Sequence, residues 1–195
     1  TAGTSNVRFG VNAGNSIVSG GNYNTVVGDE AGTAITTGDY NAAVGYTSGA
    51  SITTGERNSA FGSFALALNI SGTNNVANGF QSLYSNIGNY NTAIGSLSLS
   101  ANTTGSSNVA VGYQALDANT TGIRNIAIGQ TALGASTTSD YNTAIGYEAM
   151  GLNTTGTRNT ALGVQALYSN VDGDNSVAIG YEALFNQDPA SNVDM

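Results

Sequence analysis

Residues 142–167 read NTAIGYEAMGLNTTGTRNTALGVQAL, and the second half of this stretch nearly restates the first. The segment NTAIGYEAM, at 142–150, returns as NTALGVQAL at 159–167. A fixed internal period decides an architecture before other features do, because each copy is one structural unit that stacks on its neighbours.

The repeat runs through almost the whole chain of 195 residues. Each copy contains an Asn-x-Ala-(Ile/Val/Leu)-Gly core, and we call the glycine that ends this core the marker glycine. Successive marker glycines lie 18, 17, 17, 17 and 16 residues apart, and the remaining five spacings are all 17. The sequence therefore predicts one repeat domain at 1–186, made of eleven 17-residue coils, followed by a C-terminal linker or the start of another segment at 187–195. The marker glycines are Gly10, Gly28, Gly45, Gly62, Gly79, Gly95, Gly112, Gly129, Gly146, Gly163 and Gly180.

Composition argues against several classes of function. The chain has no Cys and no His, which excludes thiolate metal sites and removes the commonest general base. Twelve carboxylates against four arginines and no lysine give a net charge of −8, which disfavours nucleic acid or an anionic membrane as a partner. Since no apolar run approaches the roughly 20 residues that span a bilayer, we expect no direct membrane insertion.

Candidate catalytic and metal-binding residues are sparse. Glu30, Glu148 and Glu182 share one column of the repeat, but Gln165 interrupts it, so no close carboxylate pair is evident for acid–base chemistry on sugars. We therefore predict a non-catalytic protein with no cofactor and no metal. Glycan hydrolysis stays open only if carboxylates converge across chains.

Each unit carries the pattern of a short strand. In Val109-Ala110-Val111, as in most copies, branched residues flank a small alanine, so one face of the strand is large and the other is closely approached. A second apolar element follows, as in Ala115-Leu116, and then a turn such as Asn-Thr-Thr-Gly at 119–122. This second element is about six residues long, which is short for a helix. Two short strands and two turns per unit predict an all-β parallel β-roll or β-solenoid.

The position four residues before the marker glycine is Asn in ten of eleven copies. Stacked Asn side chains can hydrogen-bond to one another along the solenoid, which would satisfy polar groups in a buried corner. We therefore predict a structural ladder that faces inward. It comprises Asn24, Asn41, Asn58, Asn75, Asn91, Asn108, Asn125, Asn142 and Asn159.

The position four residues after the marker glycine divides the coils into two sections. Coils 1–3 are Gly-type and coils 4–11 are Leu-type. The Leu column has two interpretations of equal weight: it packs at the subunit interface of a trimer, or it fills the core of its own coil. A coil this small also leaves one apolar ladder outward, and such a surface requires a partner. The Leu column comprises Leu66, Leu83, Leu99, Leu116, Leu133, Met150, Leu167 and Leu184.

Tyrosines recur in two columns, one just before the corner Asn and one just after the marker glycine. Exposed tyrosines contact sugars or apolar protein surfaces at low entropic cost, which favours surface recognition. The alternative is a ladder that only shields the backbone. The columns contain Tyr23, Tyr40, Tyr90 and Tyr141, and Tyr46, Tyr113, Tyr147 and Tyr181.

Three segments carry a resemblance to a known family: NSVAIG at 175–180, SNVAVG at 107–112 and YNTAIG at 141–146. They resemble the head repeats of trimeric autotransporter adhesins of the YadA-like type. The resemblance implies a left-handed parallel β-roll, a homotrimer joined through apolar faces, and binding to protein or glycan on host-cell or matrix surfaces. The array is also similar to repeats in bacteriophage tail fibres.

These observations predict a rigid, extracellular fibre segment on a bacterial cell or a virion. Threefold repetition would multiply weak contacts, so that avidity exceeds single-site affinity by about 10²–10⁴. The alternative is a self-assembling filament subunit, since neither end of the sequence shows a clear polar cap.

Overall fold

The computed structural model describes residues 3–187, so nearly all of the predicted linker at 187–195 lies outside the described residues. The described part contains eleven strands of three residues, one in each coil, and we number coils and strands together. The strands are β1 (Val7–Phe9), β2 (Thr25–Val27), β3 (Ala42–Val44), β4 (Ser59–Phe61), β5 (Val76–Asn78), β6 (Thr92–Ile94), β7 (Val109–Val111), β8 (Ile126–Ile128), β9 (Thr143–Ile145), β10 (Thr160–Leu162) and β11 (Val177–Ile179).

All eleven strands belong to one parallel sheet in the order β1 to β11. The pairing keeps equivalent residues in register, so that Ala43 pairs with Ala60 and Ala60 with Ala77. Each coil therefore returns the chain to a position beside its own start, which makes a β-solenoid of about ten turns. The predicted all-β parallel solenoid is confirmed, and residues 3–187 contain no helix. The left-handed sense of winding stays a prediction.

The predicted second strand of each coil is wrong, because the Ala-Leu element is a series of turns. In coil 7, Gln114 and Leu116 have φ values of 53° and 54°, and such backbone cannot continue an extended strand. The segment still pairs with its neighbours: the Leu116 N–H donates to the Ala132 carbonyl at 2.9 Å, and the Gln114 N–H donates to the Ser96 carbonyl at 3.1 Å. Each coil thus has one strand and hydrogen-bonded turns.

The marker glycine is required at the corner after the strand. Gly112 has a φ of 138°, and a Cβ atom there would lie 2.5 Å from the carbonyl oxygen of Gly129 in the next coil. No side chain fits this approach, so the stacking of coils depends on glycine at this corner.

The interior is narrow and is filled by a few columns of side chains. The middle residue of each strand from β2 to β11 points inward and is buried. Opposite it, coils 1–3 contribute Ile17, Ile35 and Ile52, whereas later coils contribute the Leu column. The first and third residues of each strand point away from this core, and we call their surface the outer strand face.

Candidate functional site

The Leu column lies inside the solenoid and not at a contact surface. Leu66, Leu83, Leu99, Leu116, Leu133, Met150 and Leu167 have no accessible surface, and Leu184, in the last coil, is 37 % exposed. A side chain without accessible surface cannot contact another chain. The structure therefore corrects the interface interpretation for the seven buried residues and places them in the core of their own coils.

The Asn ladder is buried, with Asn24, Asn41, Asn58, Asn75, Asn91, Asn108, Asn125, Asn142 and Asn159 all at most 1 % exposed. Asn41 shows the arrangement. Its backbone N–H donates to Oδ1 of Asn24 at 2.8 Å, and its Nδ2 donates to the same oxygen at 3.1 Å and to the Gly55 carbonyl at 2.8 Å. Because each amide joins two coils and one opposite corner, the ladder has a structural role.

A second Asn ladder lies seven residues after the marker glycine in six of the eight Leu-type coils, namely coils 4–7, 9 and 10. Nδ2 of Asn102 donates to Oδ1 of Asn86, and Nδ2 of Asn119 donates to Oδ1 of Asn102, at 2.6 and 2.7 Å. Sequence reasoning treated these residues only as the first position of a turn. The signal that could have identified them is that Asn appears here only in coils where the Gly of the Gly-type coils is replaced by Leu or Met.

The outer strand face is a largely apolar strip along the solenoid, with Thr or Ser at the first position of five strands. Its apolar residues range from half-buried, as at Val27 and Val111, to 76 % exposed at Phe9. Within the described strands none of these outward residues is charged, and Asn78 is the single interruption in an otherwise apolar third position. This face matches the expectation that a slender coil leaves one apolar ladder outward.

The tyrosine column before the corner Asn is exposed, but several ring faces are already occupied. Tyr23 and Tyr40 stack with centroids 5.1 Å apart and planes 8° apart. Tyr141 lies between Arg124 and Arg158, whose guanidinium carbons are 5.3 and 5.9 Å from the ring centroid. A ligand would therefore meet ring edges and hydroxyl groups at these positions. Tyr90 of this column is 63 % exposed.

The second tyrosine column, which comprises Tyr46, Tyr113, Tyr147 and Tyr181, is exposed beside the outer strand face. The neighbouring carboxylates of Glu148 and Glu182 raise the pKa of Tyr147 and Tyr181 above the ordinary value. This column extends the outer strand face with amphipathic side chains.

The described residues contain no group of three or more His, Cys, Asp or Glu side chains arranged to hold a metal ion. None of their elements is a helix long and apolar enough to cross a bilayer.

Comparison with protein families, with curated proteins and with solved structures found no match to this chain.

Proposed function

We propose that this chain is a non-catalytic segment of an extracellular fibre, in which three copies associate along their outer strand faces and carry the exposed tyrosines of the column before the corner Asn to a target surface. The observation that carries the proposal is the uncharged, largely apolar strip that the outward residues of all eleven strands form, half-buried on some strands and exposed on the others. An apolar surface that runs the full length of a solenoid requires cover by a partner of the same length, and a second copy of the chain has that length.

The dimensions support an interface between copies. Eleven strands at about 4.8 Å spacing make the outer strand face about 50 Å long. A stable interface buries about 800 Å² on each partner, so a strip of this length needs a width of only about 16 Å. The strand and the adjoining tyrosine column supply that width. The resemblance to autotransporter heads, in which apolar faces meet at a common axis, favours a trimer.

Light scattering on a size-exclusion column, over a range of concentrations, tests the proposal. We expect a constant mass three times that of the chain. Replacing Ile126 and Ile128 by Lys should convert the assembly to monomers without unfolding it, because both side chains point outward. Leu152→Lys is the matched control, since Leu152 is 43 % exposed on another side of the coil.

Two outcomes contradict the trimer. A monomeric mass at all concentrations would leave the outer strand face without a second copy. A mass that grows steadily with concentration would instead support the filament subunit.

A further inference from the structure

An open cleft of about 280 Å³ interrupts the side of the solenoid across coils 7 to 10. It exists because the position five residues after the marker glycine is Gly in two successive coils, at Gly134 and Gly151, whereas Asp117 and Tyr168 occupy this position in the coils on either side. Two missing side chains in one column leave a depression with backbone as its floor. This is a local departure from the repeat and not a periodic feature.

The walls of the cleft approach its floor closely. A Cβ atom on Gly151 would lie 2.7 Å from Cε2 of Tyr168, so the tyrosine ring covers that glycine. The Tyr168 ring is itself held in place, because it stacks on the ring of Phe185 with centroids 5.1 Å apart and planes 8° apart. At the opposite wall, Oδ1 of Asp117 lies 3.6 Å from the position of a Cβ atom on Gly134. The cleft therefore has an aromatic wall and a carboxylate wall.

The charged side chains that line the cleft are both acidic. Asp117 and Glu148 both line it, and no Arg does. Glu148 already accepts a hydrogen bond from Nε2 of Gln165 at 2.7 Å. Asp117 is half-buried, and burial raises its pKa above the ordinary value although the backbone N–H groups of Asp117 and Ala118 act in the opposite direction. Within residues 3–187 the one ion pair, between Arg57 and Glu56, lies in other coils. Asp117 is thus a half-buried carboxylate that forms no ion pair within the described residues.

We propose that this cleft binds one organic cation, the ammonium or guanidinium end of a lysine or arginine side chain on a partner protein. Asp117 accepts the charge-assisted hydrogen bond, the floor at Gly134 receives the alkyl stem, and Tyr168 provides an aromatic wall within reach of the cation. The net charge of −8 favours the approach of such a ligand. The cleft lies within one chain, so it functions whether or not the trimer forms.

The test is a titration of the isotopically labelled chain with n-butylammonium and n-butylguanidinium at low salt, followed through the amide NMR signals of Gly134 and Gly151. We expect saturable shifts at millimolar concentrations. Asp117→Asn should weaken binding about tenfold, which corresponds to the loss of one charge-assisted hydrogen bond. Gly134→Ala should also weaken binding, because the added methyl group occupies the part of the floor beside Asp117. Asp172→Asn, which removes an exposed carboxylate on another side, should leave the dissociation constant unchanged.

Two further probes distinguish the source and the class of ligand. The peptide acetyl-Gly-Lys-Gly-amide should bind at least as tightly as n-butylammonium if a protein side chain is the ligand. If free amines bind and the peptide does not, the ligand is not the side chain of a partner protein. Methyl β-D-glucopyranoside should cause no shift. The proposal is overturned if this sugar shifts the glycine signals and the cations do not, if no cation gives saturable shifts, or if Asp117→Asn binds with unchanged affinity.

Discussion

The Cδ1 atom of Ile52 lies 3.0 Å from the position that a Cβ atom on Gly49 would take. In the next coil the same two positions hold Leu66 and Asn69. The backbone does not differ, since φ is 56° at Gly49 and 53° at Leu66. The Gly–Ile and Leu–Asn pairs are therefore two ways to fill the same space in the core. In coil 3 the side chain of Ile52 fills it, and position 49 is Gly. In coil 4 the side chain of Leu66 fills it, and position 69 is the polar residue Asn.

This exchange predicts strong coupling between the two positions in coil 3. Gly49→Leu should cost roughly 1–3 kcal/mol through overpacking against Ile52. Ile52→Asn should cost about 3 kcal/mol, because it leaves a cavity lined with a polar group. The double variant should recover most of the loss, since Leu at 49 fills the space and Asn at 52 can donate to the Gly55 carbonyl, as Asn69 donates to that of Gly72 at 3.0 Å. Urea unfolding of the three variants measures the coupling.

Coil 2 provides the matched control. Here the inward strand residue is Val26 in place of alanine, and its Cγ1 lies 2.6 Å from the position of a Cβ atom on Gly32. The double variant Gly32→Leu with Ile35→Asn should therefore not recover the stability that its two single variants lose. The interpretation is wrong if the coil 3 double variant loses as much as the sum of its two single variants.

The first Asn ladder should dominate stability in the middle of the solenoid. Nδ2 of Asn108 donates to the Gly122 carbonyl at 2.8 Å, and Oδ1 of Asn108 accepts from the Asn125 N–H at 2.9 Å. Asn108→Ala should cost about 3 kcal/mol, because it leaves the buried N–H of Asn125 without a partner and removes further hydrogen bonds to Asn91 and Gly122. Thermal unfolding followed by circular dichroism checks this. The exposed Asn15→Ala variant should change stability by less than about 0.5 kcal/mol, and an equal loss in both would contradict the ladder.

Repetition explains why so much of this fold was predictable. Eleven copies present each column many times, so the inward alanine, the corner Asn and the marker glycine could be identified from sequence alone. The Leu column could not be placed, because adjacent residues of an extended strand point to opposite faces, whereas Ala115 and Leu116 are both buried. Their inward direction depends on positive φ at Gln114 and Leu116, which the residue types do not indicate.

The cleft is also visible in the sequence, but only after the coils are aligned. Gly134 and Gly151 lie 17 residues apart and occupy a position that holds Gly in no other coil. What the sequence does not supply is the direction of the flanking side chains, which converts two glycines into a depression.

The second Asn ladder is broken in coil 8, and restoring it should stabilise the chain. Ser136 stands where neighbouring coils have Asn. In the intact ladder the Nδ2 of each Asn donates to the Oδ1 of the preceding coil, as Asn119 donates to Asn102, so the buried Oδ1 of Asn119 is left without a hydrogen-bond partner. Ser136 contacts Ser139, which occupies the place of a glycine. Ser136→Asn with Ser139→Gly should therefore raise stability by about 1–2 kcal/mol. Ser136→Asn alone should gain less, because the Cβ atom of Ser139 would crowd the new amide. In coil 6, for example, a Cβ atom on Gly105 would lie only 2.3 Å from Oδ1 of Asn102. Urea midpoints that do not increase in the double variant would contradict this account.

The half-buried carboxylate of Asp117 should make stability depend on pH in a direction opposite to that of most acidic residues. Burial raises its pKa in the folded chain above the ordinary 3.8, so the folded state binds the proton more tightly than the unfolded state does. Its contribution to stability is complete below 3.8 and is lost as the pH rises through the folded pKa. Asp117→Asn should therefore be slightly more stable than the unmodified chain at pH 7, and this difference should shrink as the pH falls toward 3. Paired thermal melts from pH 3 to pH 7, with Asp172→Asn as the control for net charge, measure the effect. A difference that stays constant across this range would show that Asp117 titrates alike in the folded and unfolded chains.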